Sequence, residues 1–255
     1  MTEHIRTETS GGVLTLTINR PEKKNALTRP MYQALGDAID GAGQSADVRC
    51  ILIQAEGDVF TAGNDLADFA AINSGEAADA PRAGGNPLLV ALARAAKPIV
   101  AAVNGRAVGI GTTMLLHCDL VLVSDDALLT TPFVNLALVP EAASSLLLPA
   151  RIGHARAFSM FVLGEPVDAK KAVEWGIANA AVPRAALHAK ARAAPDAIAA
   201  KPPSAVAATK SLMRDPAALA ARMEIEGRHF MTQLKSPEAR AAFAAFADKR
   251  SQRPS

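Results

Sequence analysis

Apolar positions along this chain fall in short runs between polar, glycine-bearing breaks, and their spacing changes character near the middle. Residues 5–9 and Val13–Ile18 flank Ser10-Gly11-Gly12, which predicts a β-hairpin. In its second arm Val13, Leu14, Leu16 and Ile18 are apolar, with Thr15 and Thr17 on the alternate face. Thr28 followed by Pro30 predicts a helix start, with the helix running to about Gly41. Further strands are predicted over residues 49–54, 99–103 and 119–123, and helices over 86–95 and 111–117. Residues 67–87 are rich in Ala, Gly, Asn and Pro, lack periodicity, and are expected to be mobile. From Glu141 onward the pattern is Ala- and Leu-rich helix, broken at Gly164-Glu165-Pro166, Trp175-Gly176, Pro183, Pro195 and Pro202-Pro203. Strands alternating with helices imply parallel βαβ units. The predicted class is therefore α/β: a core over residues 1–194, then a helical region over 195–255.

Composition narrows the function. The 255 residues carry 27 Lys and Arg against 25 Asp and Glu, so the formal charge is only +2. That balance gives no electrostatic footprint for nucleic acid or an anionic membrane surface. No apolar run reaches the roughly 18–20 residues of a membrane helix. Residues 1–9 are polar and charged, unlike a secretory leader, and Arg253-Pro254-Ser255 is not a peroxisomal address, so a cytoplasmic location is expected. Cys50 and Cys118 sit in apolar strand-like runs and read as buried, reduced thiols. His4, His117, His154, His188 and His229 show no ligand spacing, so no metal is implied. Ser144-Ser145 lacks the elbow of a serine hydrolase.

The most informative stretch is Val103-Asn104-Gly105-Arg106-Ala107-Val108-Gly109-Ile110-Gly111-Thr112-Thr113. An apolar strand turning through glycine into a helix leaves N–H groups unpaired at the helix start. Such donors stabilise an anion or a carbonyl oxygen becoming one. The plainer reading of Gly109 and Gly111 is close helix–strand packing. A dinucleotide fingerprint is excluded, because it would need glycine at Met114. A second candidate loop is Phe60-Thr61-Ala62-Gly63-Asn64-Asp65-Leu66, and two N–H groups from separate loops are what an oxyanion hole needs.

At these residues the chain resembles the crotonase (enoyl-CoA hydratase/isomerase) superfamily. Ile18-Asn19-Arg20-Pro21-Glu22-Lys23-Lys24-Asn25-Ala26-Leu27 is similar to that family's first CoA-contacting loop. Residues 60–66 resemble its first oxyanion segment and Lys97-Pro98-Ile99-Val100-Ala101-Ala102-Val103-Asn104-Gly105 the strand before the second. Gly164-Glu165-Pro166-Val167-Asp168-Ala169 and Trp175-Gly176-Ile177 continue the match, which runs from about residue 5 to the C-terminus. The resemblance implies a spiral of ββα repeats with a helical C-terminal region, and a homotrimer or dimer of trimers. It implies an acyl-CoA thioester as substrate, with no other cofactor, in fatty-acid or related acyl-CoA breakdown.

Carried over by position, the oxyanion-hole N–H groups fall on Ala62 and Ile110, where Ile110 narrows the pocket beside the thioester. Substrate contacts fall on Lys24, Ala26, Gly63, Asn64, Asp65, Leu66, Gly109, Thr113, Pro132 and Phe133. The two hydratase carboxylate positions fall on Thr113 and Phe133, and neither residue can act as a base. A carboxylate does occur nearby, at Glu141 in Val139-Pro140-Glu141-Ala142-Ala143-Ser144-Ser145. Proline, glutamate, small residues and a serine pair resemble the 3,2-trans-enoyl-CoA isomerase branch, whose single base lies here. The apolar setting of Phe133, Leu138, Val139 and Ala142 is expected to raise its pKa toward neutrality.

Plainer readings stand beside these roles. Proline then glutamate is a common helix start, and Asp65 reads more simply as a first-turn helix acid. Lys23 and Lys24 are either phosphate contacts or a solvated pair. Phe243 and Phe246 form one face of a C-terminal helix suited to packing. The resemblance adds Phe243 and Lys249 as CoA contacts, Lys249 toward the phosphates of CoA in its own or a neighbouring subunit. The expected activity is double-bond isomerisation of 3-enoyl-CoA to trans-2-enoyl-CoA. The alternatives are a hydratase, another thioester-enolate reaction such as decarboxylation or dehalogenation, and a non-catalytic acyl-CoA-binding protein.

Overall fold

The computed structural model describes residues 2–65 and 85–251, and gives only the helical course of 246–251. Its strands are β1 (Ile5–Ser10), β2 (Val13–Ile18), β3 (Cys50–Ala55), β4 (Val59–Thr61), β5 (Ile99–Val103), β6 (Arg106–Val108), β7 (Leu120–Ser124), β8 (Leu128–Thr130), β9 (Val167–Asp168) and β10 (Ala180–Val182). Its α-helices are α1 (Arg29–Gln44), α2 (Pro87–Arg94), α3 (Ile110–Thr113), α4 (Ser144–Ile152), α5 (His154–Phe158), α6 (Ala169–Glu174), α7 (Leu187–Ala199), α8 (Pro203–Met213), α9 (Pro216–Leu234) and α10 (Pro237–Ser251).

The strands build two sheets, ordered β1-β2-β3-β5-β7-β10 and β4-β6-β8-β9. Successive strands alternate between them: β3, β5 and β7 enter the first, while β4, β6 and β8 enter the second. Each ββ pair is thus shared between sheets, and the chain winds as the expected ββα spiral. β1 and β2 form the antiparallel hairpin; β2-β3, β3-β5, β5-β7 and β7-β10 pair in parallel.

The longer strand and helix predictions hold. Asn86 caps α2 by accepting the Leu88 N–H at 3.0 Å. Thr28 occupies the cap position of α1, but its side chain makes no capping bond. The helix expected over 111–117 begins at Ile110 and tightens into a 3-10 turn over Met114–His117. The division drawn at 194/195 falls inside α7, where Pro195 is buried. Most of the stretch expected to be mobile lies outside the described residues.

The six-stranded sheet is covered on both faces, as its nearly continuous apolar strands require. Ile51, Ile53, Ile99, Ala101 and Val103 face the main core. Cys50, Leu52, Val100 and Ala102 face the opposite way, under Leu187 and Ala191 of α7. The six-stranded sheet fixes the end of β2 and the four-stranded sheet the ends of β4 and β6, where the site loops begin.

Candidate active site

The loop after β2 is organised by Asn25. It is fully buried with φ +55°, its amide donates to the carbonyls of Glu56 and Val59, and its Oδ1 accepts the Arg20 N–H. Arg20 bridges two candidate segments, donating from Nη1 to the Ala26 carbonyl at 3.0 Å and to Asp65 Oδ2 at 2.8 Å. Asp65 and Ala26 are therefore tied into the scaffold. The exposed Lys24 ammonium pairs with Asp58 at 3.0 Å.

The geometry corrects one assignment in the 60–66 segment. The Ala62 N–H donates to the Lys24 carbonyl at 2.9 Å, and the Gly63 N–H to Thr61 Oγ1 at 3.0 Å. Leu27 then bridges the segment, donating to the Gly63 carbonyl and accepting from the Asp65 N–H. In such a parallel bridge the intervening residue, Asn64, turns its N–H to the opposite side. Asn64, not Ala62, carries the N–H without a partner among the described residues. The Asn64 side chain is fixed through Oδ1, which accepts the Tyr32 hydroxyl at 2.5 Å. Leu66 lies outside the described residues.

The second loop enters α3 through Gly109, whose φ of +56° and ψ of −115° suit glycine alone. Its carbonyl accepts the N–H groups of Thr112 and Thr113. The N–H of Ile110, the first residue of α3, has no partner among the described residues. The Ile110 side chain is 1% exposed and belongs to the main core. Two glycines hold the loops together. A Cβ on Gly63 would sit 2.8 Å from the Val108 carbonyl oxygen, and one on Gly111 only 2.4 Å from Thr61 Cγ2.

Glu141 meets this second loop directly. The Thr113 hydroxyl donates to Glu141 Oε1 at 2.6 Å and lies 3.5 Å from the Ile110 carbonyl. The carboxylate thus sits beside the first turn of α3. Burial pushes its pKa up to about 7; the Thr113 bond pulls it down, and the nearby Glu226 carboxylate pushes it up further. Phe133 is buried, its ring 6.1 Å from that of Phe161, and its carbonyl accepts the N–H groups of Leu136 and Leu138 in the segment that leads to Glu141. Pro132 is half-buried beside it.

Immediately after Glu141, Ala142 and Ala143 both adopt left-handed backbone, with φ of +63° and +54°. Each costs about 1–2 kcal/mol without glycine, so the turn must be held by its surroundings. Buried His117 donates from Nε2 to the Ala142 carbonyl at 2.7 Å, since its Nδ1 faces the donor Arg214. Burial lowers the His117 pKa to about 4, so it stays neutral. Glu226 of α9, 5% exposed, accepts the N–H groups of Ala143 and Ser145 at 2.6 and 2.9 Å. Neither His117 nor Glu226 was singled out by its sequence neighbourhood.

The half-buried Phe243 packs on the main core, whereas the Lys249 side chain lies outside what is described. A hollow of about 620 Å³ under α8, lined by Leu120, Ile198 and Met213, contains none of Glu141, Thr113, Asn64 or Ile110.

The Asn64 and Ile110 N–H groups, unpaired among the described residues, lie on adjoining loops, and Glu141 meets the second of them, an arrangement suited to acid/base chemistry at a carbonyl. Comparison with known proteins gives the family. Residues 8–253 match the enoyl-CoA hydratase/isomerase family. The 1,2-epoxyphenylacetyl-CoA isomerase of Escherichia coli (strain K12) is 36% identical over 180 residues, 69% of each chain. Enoyl-CoA delta isomerase 2 of Rattus norvegicus is 35% identical over 206 residues, 80% of this chain and 52% of the rat protein. The crystal structure of an enoyl-CoA hydratase/isomerase from Pseudoalteromonas atlantica T6c superposes with a TM-score of 0.91 at 39% identity, covering 99% of this chain and 100% of that one. Other relatives carry hydratase and dehydratase names. The chain belongs to the enoyl-CoA hydratase/isomerase (crotonase) family. Among the described residues no helix is long and apolar enough to cross a membrane.

Proposed function

We propose that this enzyme moves a double bond in an acyl-CoA, converting 3-enoyl-CoA to trans-2-enoyl-CoA. The observation that carries the reading is the contact of Glu141 with Thr113. It sets one carboxylate with proton affinity near neutrality beside the helix start whose Ile110 N–H is unpaired.

In the proposed reaction the thioester carbonyl accepts from the Asn64 and Ile110 N–H groups. Glu141 removes a C2 proton; the electrons of that C–H bond form C1=C2, and the carbonyl π electrons move onto the thioester oxygen, which carries the dienolate charge. As the carbonyl re-forms, the C1=C2 electrons shift to C2=C3 and the C3=C4 electrons take the same proton back from Glu141 at C4. Each fixed donor is worth on the order of 10²–10³ in rate at such an oxygen. A base near neutrality gives up its proton as readily as it takes it, which suits a shuttle. No cofactor beyond the CoA thioester is needed for this step. A homotrimer or dimer of trimers is the proposed assembly, and sedimentation as a monomer at micromolar concentration would refute it.

The names of the isomerase relatives support this reading, and the hydratase names mark its rival. The deciding assay supplies 3-hexenoyl-CoA and 2-hexenoyl-CoA separately. Conjugated product from the first, with little 3-hydroxyacyl product from the second, is expected. Hydration as fast as isomerisation would reject the proposal, and acyl-CoA affinity without turnover would indicate a binding protein.

A further inference from the structure

We propose that Glu226, 85 positions beyond Glu141 in the chain, is a positioning residue for that carboxylate, setting both where it points and how tightly it holds its proton. The inference rests on Glu141 being the base.

Glu141 is joined to α4 by the left-handed pair Ala142-Ala143, and the N-cap of that helix is Ala143, which has no side chain able to cap. The cap comes instead from α9. The Glu226 carboxylate spans the helix start, Oε2 receiving the Ala143 N–H and Oε1 the Ser145 N–H. The Ser144 N–H closes the turn onto the Glu141 carbonyl at 3.1 Å. A shift of α9 therefore moves the backbone that carries Glu141. A serine at position 143 would offer α4 a hydroxyl cap without burying a charge. A buried carboxylate brought from a distant helix adds what a hydroxyl cap does not: a negative charge near the base.

The groups around this turn are few. The Glu226 charge acts on Glu141 across the turn, Arg222 lies one turn earlier on α9, and neutral His117 bonds the Ala142 carbonyl with Arg214 on its Nδ1. Burial raises the Glu226 pKa, while its N–H bonds and Arg222 pull it down. Removing its charge removes a repulsion, so Glu141 releases its proton at lower pH.

The test compares Glu226→Gln, Glu226→Asp and Glu141→Gln with the parent on 3-hexenoyl-CoA, with folding checked by circular dichroism. For Glu226→Gln, kcat is expected to fall about tenfold or more with KM changed less than about threefold. The acid limb of its kcat/KM profile should move to lower pH by about half a unit or more. Glu226→Asp keeps the charge but shortens the reach, so kcat should fall with the limb in place. Infrared titration of the Glu141 carboxyl, taken as the parent-minus-Glu141→Gln difference and repeated in the Glu226→Gln background, reads the same shift without turnover. An unmoved titration and parental kcat in folded Glu226→Gln would overturn the inference even if Glu141→Gln is inactive. A fully active Glu141→Gln would instead sink the base assignment. If neither Glu226 variant folds, the carboxylate is a fold determinant and the positioning role is wrong.

Discussion

The Thr113 hydroxyl donates a 2.6 Å hydrogen bond to Glu141 Oε1. The resemblance places a hydratase carboxylate where Thr113 stands, so at that position this chain exchanges an acid for a donor that serves a different acid. A hydroxyl bonded to a carboxylate favours its ionised form, which is why Thr113 opposes the upward push of burial on Glu141. Thr113→Val should therefore raise the Glu141 pKa above about 7 and move the acid limb of kcat/KM to higher pH by about one unit. Rate should recover on the alkaline side. A limb that stays still or moves down would show that the hydroxyl does not serve the ionised base.

Stability is expected to trade against activity at the same residue. Glu141 has a folded pKa near 7 against an ordinary value of 4.5. An acid raised on folding favours the folded state fully below its unfolded pKa, and that contribution is lost as pH rises through the folded value. Glu141→Gln should thus unfold at higher urea than the parent at pH 8, by about 3 kcal/mol. The advantage should fade as the pH is lowered toward 4.5. Equal parent and variant stability at pH 8 would contradict the buried, raised carboxyl.

The contact between the oxyanion loops makes a steric prediction. A methyl on Gly111 would meet Thr61 Cγ2. Thr61 cannot rotate away cheaply, because its Oγ1 donates to the Asn25 carbonyl at 2.7 Å and accepts the Gly63 N–H. Gly111→Ala should cost about 1–3 kcal/mol and lower kcat by separating the two donors. Adding Thr61→Ser deletes the clashing methyl and keeps the hydroxyl, so the double variant should regain most of both losses. A double-mutant cycle in urea and in kcat reads this directly.

Cys50 and Cys118 are both buried, and burial pushes each thiol up to about 12. Reactivity follows the thiolate. A thiol reagent should therefore label neither in the native protein within minutes at pH 8, and both in guanidinium. Rapid native labelling of either would mean that the strands carrying them open easily.

Much of this architecture was legible along the chain. β2, β3, β5 and β7 are largely apolar runs of five or six residues, long enough for alternation or continuous burial to show, while the polar β1 was legible from the hairpin turn that joins it to β2. β4, β6, β8 and β10 have three residues and β9 has two, too short for any period; β4, β6, β8 and β9 became strands only through one another in the second sheet, and β10 only through β7 in the first. The loop of Ile110 was found from local sequence, and the candidate Glu141 from a local motif read through the family resemblance. The shift from Ala62 to Asn64 was not, because which N–H stays free depends on the Leu27 bridge and the Lys24 carbonyl. Glu224 and Glu226 illustrate the same limit. Two residues apart in one helix, the first is exposed and paired with Arg228, while the second is buried under the turn that carries Glu141.

By itself the sequence determined what depends on near neighbours: the hairpin, the parallel strands, the glycine-led entry into α3, and an acid set in an apolar stretch after proline. Tertiary structure alone decided which amides remain unpaired and which distant side chains, Thr113, His117 and Glu226, surround that acid. The physical reason is one of range. Strand and helix patterns are set by contacts within a few residues, whereas hydrogen-bond satisfaction and the proton affinity of a buried group depend on whatever the fold brings within a few ångströms.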